Sequence, residues 1–259
     1  MNIIILSLLA GVVGMGLGGV ITSVFGNRTE KMVSIFLSLA GGVMVSIVLI
    51  ELLPEAIEYS NIWVAVIGLA LGAVMVLALN NVMDRISKTK KSEAKVHETY
   101  TEFFHSEGMT DNKKSMLRSG MIMLFAIALH NIPEGLAMGA AGYHDAALGL
   151  TLALMIGLHN IPEGMAISAP LISGGFSKVK TLILVTLTGA TTVIGAVAGV
   201  LIGGISDIAL ALSFAVAGGA MLYVVFGEIL PQSIVTNKDK VPAIFALVGI
   251  IVGLLFTQI

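Results

Sequence analysis

One six-residue string occurs twice, letter for letter: His130-Asn131-Ile132-Pro133-Glu134-Gly135, and 29 positions later His159-Asn160-Ile161-Pro162-Glu163-Gly164. Each copy carries an imidazole, a carboxamide and a carboxylate. On a helix, residues four apart stand nearly one above the other, and the next residue lies about 100° round. His130 and Glu134 therefore share a face with Asn131 at its edge, and His159, Asn160 and Glu163 repeat that face. Together the copies supply two imidazole nitrogens, two carboxylates and two amide oxygens. This mixed nitrogen and oxygen set suits zinc and other divalent first-row ions. The chain has no cysteine, which excludes thiolate ligands, disulfides and cysteine nucleophiles. Pro133 and Pro162 each remove an amide donor and crowd the carbonyls of Leu129 and Leu158, so an interrupted helix is expected at each motif.

The elements that must position these groups are membrane spans. Of the 259 residues, 56% are hydrophobic and only 12% charged, against about 25% charged in a soluble domain. Mean hydropathy is +0.99. With 14 Lys and Arg against 16 Asp and Glu, no basic excess exists to bind nucleic acid. Eight apolar stretches approach the ~20 residues needed to cross a bilayer, at roughly 3–25, 32–53, 62–83, 119–142, 146–173, 181–205, 208–230 and 241–258. The first lacks a basic leader and reads as a retained helix. All 14 basic residues fall in the odd-numbered connections, eight of them between Arg85 and Arg118. The positive-inside rule then places both termini outside and the 84–118 loop in the cytoplasm. Trp63 fits an interface anchor. Gly14 and Gly18, and Gly195, Gly199 and Gly203, show the small-residue spacing of close helix packing.

Both motifs fall near the middle of their spans, four and five. An intramembrane carboxylate costs from about 2.5 kcal/mol upwards and is functional by default. No Lys or Arg lies within a span to balance Glu134 and Glu163, so a bound cation or protons must. The alternative, a kinked helix pair with polar glue, explains proline and glycine but not two buried acids and two histidines. A second repeat joins Gly41-Gly42-Val43-Met44 … Glu51-Leu52-Leu53-Pro54 to Gly218-Gly219-Ala220-Met221 … Glu228-Ile229-Leu230-Pro231, 177 positions on. The two copies run in opposite directions, as in the inverted repeats of many secondary transporters. Glu51 near the outer mouth and Glu228 near the inner one, with Glu55 and Glu58 beside the first, would concentrate cations. Solvated helix ends are the equal alternative. His97, His105, His144 and Asp145 read as solvated loop or turn residues.

The mid-membrane His-Asn-x-Pro-Glu-Gly signature, the eight spans and the charged 84–118 loop resemble the ZIP family of divalent-metal transporters, bacterial branch. The resemblance implies an all-α polytopic fold of eight helices in a 3+2+3 arrangement with inverted repeats, and one transmembrane domain over 1–259. It also implies zinc uptake into the cytoplasm of a prokaryote through its cell membrane, with iron, manganese or cadmium as other cargo, and no organic cofactor. A homodimer, and an elevator-like movement of spans 1, 4, 5 and 6, are further implications. It places His130, Glu134, His159 and Glu163 at the main metal site, and Asn131 and Asn160 with the same glutamates at a second. Many bacterial relatives carry a Glu-Pro in span 6, where this chain has Thr192-Val193; a weaker second site follows. The alternatives are a metal-selective channel, a membrane metal sensor and an intramembrane metalloprotease. The last would need HExxH, which this chain lacks.

Overall fold

A computed structural model describes residues 2–25, 30–88, 109–201 and 206–256. His97, His105 and Gly203 lie outside the described residues, as does most of the 84–118 loop. Every regular element among the described residues is helical. Helices α1 (Ile3–Leu8) and α2 (Gly14–Phe25) are joined by a π-helical turn, Leu9–Val13. Helices α3 (Glu30–Ile47) and α4 (Leu53–Glu58) are joined by another, Val48–Leu52. Helix α5 (Ile62–Lys88), the 36-residue α6 (Met109–His144) and α7 (Ala146–Ser173) follow. Helices α8 (Lys178–Gly189) and α9 (Thr191–Leu201) meet at a break on Ala190. Helices α10 (Asp207–Val224) and α11 (Leu230–Thr236) flank a third π turn, Val225–Ile229, and α12 (Val241–Phe256) completes the set.

Helix starts follow from short polar side chains that take up orphan backbone donors. Asn2 accepts from the Ile4 N–H, Asp145 from Ala147 and Ser177 from Lys180. Among the described residues, six runs are long and apolar enough to cross a membrane: Ile3–Phe25, Lys31–Glu58, Met116–Tyr143, Gly149–Ser173, Lys178–Leu201 and Asp207–Thr236. Ile62–Ala78 and Val241–Leu255 are shorter apolar stretches. The outer surface is correspondingly apolar. Leu17, Val20, Val24, Leu187 and Ile194 all point outward, and Trp63 is 73% exposed. In water such a belt would be an aggregation hazard, whereas against lipid tails it costs nothing.

The prolines act differently in different helices. Pro54 and Pro231 cannot donate to the carbonyls of Ile50 and Gly227, and their rings crowd those carbonyls. At both places the chain widens into a π turn, and the two turns are related by the same 177-residue offset as the sequence repeat. Pro133 and Pro162, by contrast, sit inside unbroken helices. The interruption expected at the motifs is therefore corrected: it lies instead in the helices packed against them. A single proline frees one carbonyl and kinks a helix held by its neighbours without ending it.

Glycines set the packing. A methyl group at Gly18 would overlap the Ile161 carbonyl oxygen of α7, and one at Gly195 the Ile132 carbonyl oxygen of α6. A methyl at Gly164 would meet Met15, and one at Gly135 would meet Thr192. Each contact maps onto its mate by the two sequence offsets, 177 between α2 and α9 and 29 between α6 and α7. The same offset relates Gly42 against Ala246 to Gly219 against Leu69. The Gly18→Val and Gly195→Val substitutions should therefore each lower the thermal midpoint of the purified protein by a similar amount. Overpacking of about 1–3 kcal/mol or more is expected for each. A normal midpoint for one variant beside a damaged mate would contradict the paired geometry.

Candidate metal centre

Helices α6 and α7 bring the two motifs together. His130, Asn131, Asn160 and Glu163 are fully buried, and Glu134 and His159 nearly so. Pairing is crossed between the helices. His130 Nε2 lies 3.0 Å from Glu163 Oε1, and His159 Nε2 lies 3.2 Å from Glu134 Oε1. The pair on one helix, His130 Nε2 and Glu134 Oε1, is longer at 3.8 Å. The crossed arrangement arises because antiparallel copies of one motif face each other, so each imidazole meets the other copy's carboxylate.

Half of the polar capacity of these groups is unused. His130 Nδ1, His159 Nδ1, Glu134 Oε2, Glu163 Oε2, Asn131 Oδ1 and Asn160 Oδ1 are all buried without a hydrogen-bond partner. Buried polar atoms normally find partners, so six orphans on two facing motifs leave capacity for an ion. Ligand atoms of His130, Glu134 and Glu163 all lie within 4.8 Å of one another. Donors around a tetrahedral zinc ion at about 2.0–2.2 Å stand ~3.3–3.6 Å apart, so closing on the ion requires side-chain shifts of about an ångström at most, in the widest pair.

The motif amides face a second way. Asn131 Nδ2 donates to the Thr188 carbonyl in the last turn of α8, at 3.4 Å. Asn160 Nδ2 donates to the Ala10 carbonyl in the first π turn, at 3.2 Å. Thr192 is buried beside them on α9 with its hydroxyl unpartnered. Glu51 sits in the π turn Val48–Leu52, half-buried, close enough to interact electrostatically with His159 and Glu134. Glu228 occupies the matching position in the third π turn, where Asn80 Nδ2 holds its Oε1 at 3.1 Å. Asp145 caps α7 and plays no part in the cluster. Reading the sequence missed Asn80, Thr188 and Ala10. Asn80 had a signal, a polar pair Asn80-Asn81 at the end of an apolar run, but backbone acceptors have none.

The ZIP zinc transporter family description matches residues 80–259 of the chain. Curated relatives match nearly end to end. The chain is 35% identical to "Zinc transporter ZupT" of Corynebacterium efficiens, over 94% of this chain and 91% of that one. It is 34% identical to the protein of the same name from Corynebacterium glutamicum, over 96% and 94%. For Akkermansia muciniphila the identity is 33%, over 100% and 97%. The chain belongs to the ZIP family of metal transporters. It is an all-helical, multi-pass membrane protein and not an enzyme.

The crossed pairs make a specific expectation. In double-mutant cycles on zinc affinity, His130 with Glu163 and His159 with Glu134 should couple by about 0.5–3 kcal/mol, the range for groups in direct contact. His130 with Glu134 should couple less than either. Larger coupling within one helix than across would contradict the arrangement.

Proposed function

We propose that the chain carries divalent cations, zinc first, into the cytoplasm across the cell membrane of a prokaryote. The ion is held near mid-membrane by His130, Glu134, His159 and Glu163, with Asn131 and Asn160 offering oxygens to a second position. Iron, manganese and cadmium are alternative cargo. The single observation that carries this is the pair of crossed, buried His–Glu contacts, with four unpartnered donor atoms on the pairs and two more on the neighbouring asparagines. Family membership and the name shared by the relatives support zinc. The eight helical stretches form a 3+2+3 arrangement with both termini outside, supported by the 177-residue offset that relates contacts of α2, α3 and α5 to those of α9, α10 and α12. The 84–118 segment is then cytoplasmic.

The electrostatics give the mechanism its logic. Two carboxylates buried without a lysine or arginine partner need two positive charges. A divalent ion supplies them when the site is loaded, and protons taken up by the cluster supply them otherwise. Loading therefore exchanges protons for metal, and affinity falls as pH falls. Glu51 lies on the approach from the outer side and Glu228, held by Asn80, on the release side. Thr192 in place of a carboxylate weakens the second position, so single occupancy is favoured. The family likeness also implies a homodimer.

Zinc uptake into proteoliposomes should be saturable for the wild type and abolished in the Glu134→Gln, Glu163→Gln double variant. Intact uptake in that variant would falsify the site assignment. Zinc affinity of the purified protein should fall steadily as the pH is lowered from 8 to 5, roughly as expected for ligands that must lose protons to bind. A pH-independent affinity would remove the proton-exchange reading.

A further inference from the structure

The motif asparagines make two kinds of contact, and only the oxygen is explained by metal binding. Each carboxamide puts its N–H on a main-chain carbonyl of a neighbouring helix. Asn160 holds Ala10 O at 3.2 Å and Asn131 holds Thr188 O at 3.4 Å. Both acceptors lie where a helix is irregular. Ala10 is inside the π turn Leu9–Val13, and Thr188 is one residue from the end of α8, just before the break at Ala190. The last carbonyls of a helix lack full intrahelical partners, and Thr188 O accepts from the Thr191 hydroxyl, at 2.7 Å, and from Asn131. The two irregular places also touch: a methyl group on Gly11 would overlap the Gly189 carbonyl, and one on Gly189 the Gly11 carbonyl. The amides thus clamp both sides of one irregular seam, each from its own motif helix.

We propose that Asn131 and Asn160 are positioning residues whose N–H groups couple metal occupancy to the backbone of the two flanking helices. The proposal rests on the motifs being the metal site. A cation drawn to the unpartnered Oδ1 atoms polarises each amide and strengthens its N–H as a donor. Loading then tightens the Leu9–Val13 turn and the Ala190 break onto α6 and α7, and release loosens them. A carboxylate could not do this. It has no N–H, and its second oxygen would face a carbonyl oxygen.

That difference supplies the test. Zinc affinity and amide hydrogen exchange, with and without zinc, are measured on the full-length wild type and on the Asn131→Asp, Asn160→Asp, Asn131→Ala and Asn160→Ala variants. Glu134→Gln, Glu163→Gln serves as the control for the site itself. Zinc should slow exchange of residues 8–14 and 186–193 in the wild type. Asn160 variants should lose the protection of 8–14 and keep that of 186–193; Asn131 variants should do the reverse. The Asp variants should bind zinc about tenfold more weakly or worse, as when a ligand's outer partner is removed. If the asparagines serve only as oxygen ligands, Asp will bind zinc as tightly as Asn or tighter, and protection will be unchanged; that result overturns the proposal. Wild type that binds zinc without protecting either segment overturns it as well. Should an Asp variant fail to fold, the Ala variant carries the same crossed pattern. Zinc binding untouched in the glutamine control would instead overturn the underlying site, a separate failure.

Discussion

Two carboxylates sealed between helices, with no lysine or arginine among the described residues to meet them, dominate this molecule. Such groups are costly in an apolar interior unless paired and hydrogen-bonded. Here each is met by the imidazole of the opposite motif, at 3.0 and 3.2 Å, with the second oxygen left bare. The antiparallel seating of α6 and α7 is what allows that crossing. The glycines that let α2 and α9 ride on the motif backbones keep water and lipid out. The other fully buried side chains among the described residues are uncharged, so the charge balance of this one cluster must be settled inside it, by protons or by an ion.

The chemistry of the site was readable because repetition and spacing fix it. Two identical strings with His and Glu four apart put like groups on facing helices, and the composition put both in lipid. What spacing could not reveal is which imidazole meets which carboxylate. Stacking along one helix suggests His130 with Glu134, yet that separation is 3.8 Å and the contacts across the helices are shorter. Pairing of this kind depends on how two helices are seated, which no local pattern encodes.

The backbone interruptions were misplaced for a related reason. Proline marks where a donor is missing but not how the helix responds. Before Pro54 and Pro231 the chain absorbs the loss in a π turn, while around Pro133 and Pro162 dense packing holds a continuous helix. The turn at Leu9–Val13 and the break at Ala190 have no proline at all. Likewise the partners of Asn131 and Asn160 are carbonyl oxygens, invisible to any reading of side-chain types. The apolar spans and the repeat offset, by contrast, are properties of composition and order, and both could be read directly.

The π turns that carry Glu51 and Glu228 have a consequence for how these helices can change in length. Such a turn accommodates one more residue than the α-helical turn it replaces. Each residue in a helix is worth about 100° of rotation, so the extra one sets the angular phase of everything beyond it. Deleting a single residue from Val48–Leu52 would leave a straighter, equally apolar helix. It would also swing the upstream and downstream faces out of step, so that Met44 and Ala56, both buried now, could no longer face inward together. By composition these stretches look indifferent to a residue gained or lost; in phase they are fixed to the residue.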